Sequence, residues 1–360
     1  MKDDKPEKTN QVQVGGIRIG GGAPVSVQSM CTTDTRDVKA TLAQIYQLGA
    51  AGCELVRLAV PDQEAARALE GLVARSPLPL IADIHFDYRL ALAAIRAGVH
   101  KIRINPNNMK DPEGLRQTAE EAAKAGIPIR VGVNAGSLDR KWLDLHGGLT
   151  AEALAASALD ACRQLEDLGF LQLVLSAKAS SPLLLIDTYR LLAKATSHPL
   201  HLGVTEAGTP REGVIRSAVG MGALLSEGIG DTIRVSLTAD PVEEVHAAYS
   251  ILRALDLRQR GAILISCPTC GRTEVPLIAI AQEVERRLAG LEIPIRVAVM
   301  GCVVNGPGEA READLGIAGG KDSFVLFRKG QVIRKVEADQ AVQALMDELD
   351  QVIEEMEAGS

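Results

Sequence analysis

Cysteine is scarce in this chain, six residues in 360, too few for a disulfide framework, so the expected setting is a reducing, cytoplasmic one. Aromatic rings are few as well: one Trp, four Tyr and four Phe. Positive charge is in deficit, with 39 Lys and Arg against 46 Asp and Glu for a net charge of −7. A nucleic-acid partner calls for a basic stripe and stacking rings, and the chain offers neither. No apolar run approaches the roughly 18 residues that span a bilayer. Met1–Asn10 carries three Lys and three acids where a signal peptide would carry an apolar core, so neither a membrane span nor secretion is expected. What remains, 46% hydrophobic and 24% charged residues, is ordinary for a globular protein with a large core.

Short β-branched runs alternate with segments of helical period. The runs are Pro24–Gln28, Glu54–Leu58, Leu78–Asp83, Lys101–Ile104, Ile127–Val131, Leu171–Leu175, Leu200–Val204 and Thr232–Ser236. Between them lie helical patterns such as Val38–Leu48, Leu90–Ala97, Ala151–Leu168 and Gly213–Leu225, several closed by a glycine (Gly49, Gly98, Gly126, Gly169). Near-continuous apolar strands between helices mean a parallel sheet covered on its faces. Eight units between residue 24 and about residue 256 predict a (β/α)8 TIM barrel. An open doubly wound sheet is the competing architecture, but no Gly-x-Gly-x-x-Gly follows the first strand. Gly15–Gly22 precedes that strand and reads as a turn; Gly316–Asp322 misses the phosphate-loop spacing by one residue. Beyond Arg260 the pattern changes: a strand Ile263–Ile265, a helix Glu274–Leu288, a strand Ile295–Met300, a hairpin within Phe324–Val336 and a polar helix from Ala338. The expected division is a barrel over 1–258 and a small α+β domain over 259–360.

Four strands carry an arginine among apolar neighbours: Arg57, Arg103, Arg130 and Arg234. Neither face of a barrel sheet is wet, so these cations cannot be ordinary solvated surface. Gln28, Ser29, Asp83, His85, Asn105, Asn134, Lys178, Glu206 and Ser236 stand at the same level, toward the strand C-termini where barrel active sites are built. Arginine forks suit phosphate oxygens, and gathering cations in an acidic protein focuses potential on an anion. The alternative is a rim network pairing the arginines with Asp83 and Glu206. His85 has two readings, a substrate contact or a hydrogen-bonded strand end; His198 and His201 are expected on the opposite, stability face.

Cys267-Pro268-Thr269-Cys270 is followed by a third cysteine in Gly301-Cys302-Val303-Val304-Asn305-Gly306-Pro307-Gly308-Glu309. Three cysteines at turn-rich strand ends fit a metal centre: an iron–sulfur cluster, zinc with a fourth donor from elsewhere, or a dithiol without metal. Three thiolates leave one iron of a cubane open, and Glu309 is the local carboxylate. Cys53 and Cys162 read as small buried hydrophobes, whereas Cys31 follows the first strand at the active rim.

Val27-Gln28-Ser29-Met30, Ala82-Asp83-Ile84-His85-Phe86-Asp87-Tyr88, Arg103-Ile104-Asn105-Pro106, Gly132-Val133-Asn134-Ala135-Gly136-Ser137-Leu138, Gly203-Val204-Thr205-Glu206-Ala207-Gly208, Ser226–Thr232, Cys267–Cys270 and Gly301–Ala310 together resemble the bacterial 4-hydroxy-3-methylbut-2-enyl diphosphate synthase family, in order from about residue 12 to 320. The resemblance implies a TIM barrel followed by an iron–sulfur domain and reductive ring opening of 2-C-methyl-D-erythritol 2,4-cyclodiphosphate in isoprenoid synthesis. It implies a 4Fe–4S cluster on Cys267, Cys270, Cys302 and Glu309. It also implies a substrate site of Arg57, His85, Arg103, Arg130, Asn134, Lys178, Arg234 and Ser236, joined by Asn305 from the cluster domain. Glu309 is expected to cap the open iron until substrate displaces it, and Glu309 or a bound water then to serve as proton source. A flavodoxin or ferredoxin donor and a homodimer with a shared active site are further implications. The chain departs from the family at Cys31, where Thr is expected and oxidation could follow, and at Asn107, where Gly is common.

Overall fold

The computed structural model describes residues 8–109, 111–273, 275–302, 310, 312–321 and 323–358. The chain divides into two compact units, Met1–Arg258 and Gln259–Ser360.

The first unit opens with a hairpin, β1 (Val12–Val14) and β2 (Ile17–Ile19). Eight strands follow: β3 (Ser26–Met30), β4 (Leu55–Ala59), β5 (Leu80–Asp83), β6 (Lys101–Ile104), β7 (Ile129–Asn134), β8 (Leu173–Lys178), β9 (His201–Leu202) and β10 (Thr232–Ile233). Every neighbouring pair is parallel, in the order β8-β7-β6-β5-β4-β3-β10-β9. A parallel bridge between Leu175 and Leu200 brings β8 to the start of β9 and closes the ring. This is the predicted TIM barrel. The last two strands are shorter than their apolar runs. Arg234 N still donates to Leu202 O at 3.0 Å before the chains part toward the rim.

Nine helices wrap the ring among the described residues: α1 (Val38–Ala50), α2 (Gln63–Val73), α3 (Tyr88–Arg96), α4 (Pro112–Ala125), α5 (Arg140–His146), α6 (Ala151–Glu166), α7 (Pro182–Ala195), α8 (Pro210–Ser226) and α9 (Pro241–Ala254). The acidic surplus has a local use here. Asp37, Asp62, Asp87, Asp111, Asp139 and Asp240 each accept a first-turn amide at a helix N-cap, a bond worth about 1 kcal/mol apiece. Gly126 ends α4 at φ +67°, as expected. Gly49 corrects its expectation: it lies inside α1 and packs on Leu78.

Outward-facing strand residues such as Val56, Leu58, Ile102 and Leu175 pack under the helices in one large core. The hairpin forms a separate cluster, in which Val12, Val14 and Ile19 meet Leu55, Ile81 and Val174 at the strand N-termini. The barrel therefore has an apolar floor supplied by the segment that precedes it.

The second unit is a five-stranded sheet in the order β11 (Ile263–Ser266), β12 (Arg296–Met300), β13 (Leu315–Gly319), β14 (Ser323–Arg328) and β15 (Gln331–Glu337). The first three strands run parallel and the last two antiparallel. Helices α10 (Leu277–Leu288) and α11 (Ala341–Ala358) share its core. The glycines of Gly316–Gly319 serve strand packing here: a Cβ on Gly316 would lie 2.7 Å from Ala298 O and 2.6 Å from Phe327 Cζ.

Candidate active site

Side chains alternate along a strand, and the register places one set toward the barrel axis. Arg57, Asp83, His85, Arg103, Arg130, Asn134, Lys178, Arg234 and Ser236 line one pocket at the strand C-termini, with Ser176 and Thr205. All eight barrel residues expected to bind substrate thus converge from six strands and the segments that follow them. Asn305 and Glu309 lie outside the described residues.

Asp83 anchors one half of the pocket. Arg103 Nη1 lies 3.2 Å from Asp83 Oδ1, Arg57 Nε 3.6 Å from Oδ2, and His85 Nε2 3.7 Å from Oδ2. Burial alone would raise the Asp83 pKa, but Arg57, the His85 hydrogen bond and Arg103 outweigh it and hold the carboxyl well below its usual range. Arg103 also donates to Gly132 O at 2.9 Å. A Cβ on Gly132 would sit 2.3 Å from Arg103 Nε, so the missing side chain lets the guanidinium lie across β7. Gly203 makes the same allowance on the other side, where a Cβ would sit 2.6 Å from Lys178 Nζ.

The other half is anchored by a residue the sequence did not single out. Glu244, buried in the first turn of α9, takes Arg234 in a fork at 3.1 Å (Nη2 to Oε1) and 3.2 Å (Nε to Oε2). It also accepts from Ser29 Oγ at 3.1 Å and Leu237 N at 3.1 Å. In sequence Glu244 is one of two adjacent acids opening an amphipathic helix, which reads as solvated surface. The expected rim network is therefore half present: Asp83 pairs as anticipated, but Glu206 is exposed at φ +53° and Glu244 takes the partner's place.

The charges do not balance. Arg130 is 1% exposed, and none of its three side-chain nitrogens has a hydrogen-bond partner among the described residues. Beneath the pocket, Lys101 Nζ, both ring nitrogens of His201 and both amide atoms of Gln28 are likewise buried without partners. His201 departs from its expected place, facing the barrel interior close enough to Arg130, Lys178, Lys101 and Arg57 to feel their charge. His198 pairs with Glu166 at 2.7 Å away from the pocket. Buried donors without partners are costly, so this arrangement is built for a ligand that supplies acceptors and negative charge.

Cys31 is buried, and its thiol is pushed up to about 12 by burial and then by Cys53. That shift disfavours the thiolate, the form in which a cysteine reacts. Asn107 ties the loop after β6 to α6 through Ser157 Oγ at 3.3 Å and Gln164 Nε2 at 2.9 Å.

In the second unit, Cys267 follows β11 and Cys302 follows the adjacent parallel β12, so both stand at the strand C-terminal end of the sheet. Gly301 N donates to Cys267 Sγ at 3.2 Å. Cys270 is exposed, and hydrogen bonds from the Arg272 backbone and side chain and from Thr273 lower its thiol pKa, which favours the metal-binding thiolate. All six cysteines are free. Among the described residues no three His, Cys, Asp or Glu side chains converge on one point. The donor set fits a thiolate-bound metal in its chemistry, with the fourth candidate, Glu309, outside the described residues. Among the described residues no helix is long and apolar enough to cross a membrane.

Comparison with known proteins bears on both units. The GcpE TIM-barrel domain family matches residues 9–249, and the GcpE protein C-terminal domain family matches residues 263–351. A curated protein of Geobacter sulfurreducens named 4-hydroxy-3-methylbut-2-en-1-yl diphosphate synthase (flavodoxin) is 55% identical over 349 residues, 97% of this chain and 99% of its own. Proteins of the same name from Lawsonia intracellularis (53% identical, 97% of this chain, 98% of its own) and Brevibacillus brevis (50%, 98% and 98%) are similar over the same extent.

Proposed function

The chain belongs to the GcpE family, and on that premise we propose that it makes 4-hydroxy-3-methylbut-2-enyl diphosphate by reductive ring opening of 2-C-methyl-D-erythritol 2,4-cyclodiphosphate, a step in isoprenoid synthesis. The observation that carries this reading is the pocket itself: Arg57, Arg103, Arg130, Lys178 and Arg234 surround a space in which Asp83 and Glu244 offset only part of their charge. A cyclic diphosphate is a compact dianion, and bidentate guanidinium forks suit its oxygens.

The reaction takes up two electrons and two protons and releases water. The bond from C2 to the ring phosphate oxygen breaks, the C3 hydroxyl leaves as water, and a C2–C3 double bond forms. Opening the ring turns a diester oxygen into a free phosphate oxygen, so negative charge grows on the diphosphate as the bond breaks. Fixed cations that are under-neutralised beforehand stabilise that growing charge without reorganising. Asp83 and Glu244 keep Arg57, Arg103 and Arg234 oriented, and Asn134, Ser236 and His85 supply directional hydrogen bonds around the ring. In this reading the division at 258/259 separates substrate binding from electron delivery. A 4Fe–4S cluster on Cys267, Cys270, Cys302 and Glu309 would supply single electrons and a Lewis-acidic iron. Glu309 would serve as proton source, with Asn305 contacting substrate. A flavodoxin or ferredoxin would deliver the electrons, in a homodimer whose protomers share active sites.

Protein purified without oxygen is expected to be brown, to hold about four irons per chain, and to convert the cyclodiphosphate when given reduced flavodoxin. Colourless protein with stoichiometric zinc after anaerobic iron–sulfide reconstitution, and no conversion, would overturn the reading.

A further inference from the structure

Six basic side chains point into the barrel, Arg57, Lys101, Arg103, Arg130, Lys178 and Arg234, and among the described residues two carboxylates pair with them. Asp83 is engaged with Arg57 and Arg103, and Glu244 with Arg234. Neither lysine has a carboxylate or a hydrogen-bond partner among the described residues; Lys101 is wholly buried and Lys178 is 7% exposed. The groups facing Lys101 are Arg130 from β7, Arg57 from β4 and His201 from β9. Those facing Lys178 are Arg130, Arg57, Arg103, His201 and Arg234. These are cations and an imidazole; the carboxylate that lines the same pocket as Lys178 is Asp83, which is engaged with Arg57 and Arg103.

Arginine and lysine respond differently to such crowding. A guanidinium does not give up its proton in a protein, whereas a buried ammonium does so readily. The lysines are therefore the groups at which crowding of positive charge in the barrel can be relieved. Burial first, then Arg130 and Arg57, pull Lys101 well below its ordinary value; burial, Arg130, Arg57, Arg234 and Arg103 do the same to Lys178. A dianion in the pocket reverses the sign of the local field. We infer that an entering dianion draws protons onto Lys178 in the pocket wall and Lys101 in the layer beneath, so that ligand capture is coupled to proton uptake. This rests on the reading of the pocket as a diphosphate site and extends it to the regulation of that site by pH.

The test uses the full chain and inorganic sulfate, a dianion that does not itself titrate across the working range. Calorimetric titrations in buffers of differing ionisation enthalpy count the protons taken up per sulfate bound. The expected uptake is about one proton for each lysine that becomes charged, and affinity should weaken about tenfold per pH unit per proton as pH rises from neutral. Binding with a buffer-independent heat and a flat pH profile would overturn the coupling while leaving the anion pocket standing. Absence of any sulfate binding would instead overturn the pocket reading on which the coupling depends. Lys101→Met should still bind sulfate with a proton count lower by about one; an unchanged count would remove Lys101 from the coupling. Lys178→Arg, which keeps a charge that cannot be shed, should lower the count in the same way.

Discussion

Glu244 holds Arg234 without facing the pocket, and its effect is therefore one of positioning. Glu244→Gln keeps the shape and loses the charge-assisted fork; a hydrogen bond to a charged group is worth about 1.5–3 kcal/mol. Steady-state kinetics on the reconstituted enzyme should show KM for the cyclodiphosphate raised roughly tenfold or more, with kcat changed much less and circular dichroism unaltered. An equal fall in kcat at unchanged KM would place Glu244 elsewhere in the cycle. The contrast with Arg57, Arg103, Arg130 and Arg234 shows what is legible in a single sequence. An arginine inside a β-branched run is anomalous and announces itself. A glutamate in the first turn of a helix is ordinary, and so is a lysine at the start of a strand, so Glu244 and Lys101 gave no signal. Gly132 and Gly203 open two of the motif strings, but their reason is spatial: each leaves room for a neighbour's cation.

Among the elements, the hairpin β1–β2 has the largest effect for its size. Its glycine-rich sequence reads as a turn, because three-residue strands are too short to display alternation. Only the partners Leu55, Ile81 and Val174, drawn from distant parts of the chain, reveal that it covers the barrel floor. Ile19 is fully buried in that cluster. Ile19→Ala should cost about 2–5 kcal/mol and lower the Tm by roughly 5–15 °C, measured by calorimetry on the whole chain. A loss comparable with a surface substitution would mean that the floor contributes little to folding. The long helices were legible from their period and caps to within a few residues. Helix α5 and strand β13 were not: α5 is short, with none of its residues buried, and β13 hides its strand character in glycines.

Taken whole, the molecule keeps its two signs of charge apart. The chain carries a net −7, yet the interior of its first unit holds an excess of cations, so the outer surface is more acidic than the total suggests. The converging cations at the mouth then stand out against an acidic average surface and draw small anions in. Raising salt should screen this attraction. KM for the cyclodiphosphate should climb several-fold between low and high ionic strength while kcat stays level; a KM indifferent to salt would show that the cations act only by contact. Part of this was visible in outline from the sequence, since four arginines, Arg57, Arg103, Arg130 and Arg234, fell within apolar strand runs of an acidic chain. The count of eight units anticipated a closed ring, but not that Leu175 and Leu200 would close it, because pairing between residues of adjacent units carries no local signature.

The hairpin floor also fixes the traffic through the barrel. With the hairpin packed under β4, β5 and β8, the pocket among the described residues opens at the rim, as a cul-de-sac does. Arriving ligand, departing product and displaced water must pass the same doorway in turn. Nothing can push an occupant out from behind, so an excess of competing anion should leave the departure rate of a bound one unchanged.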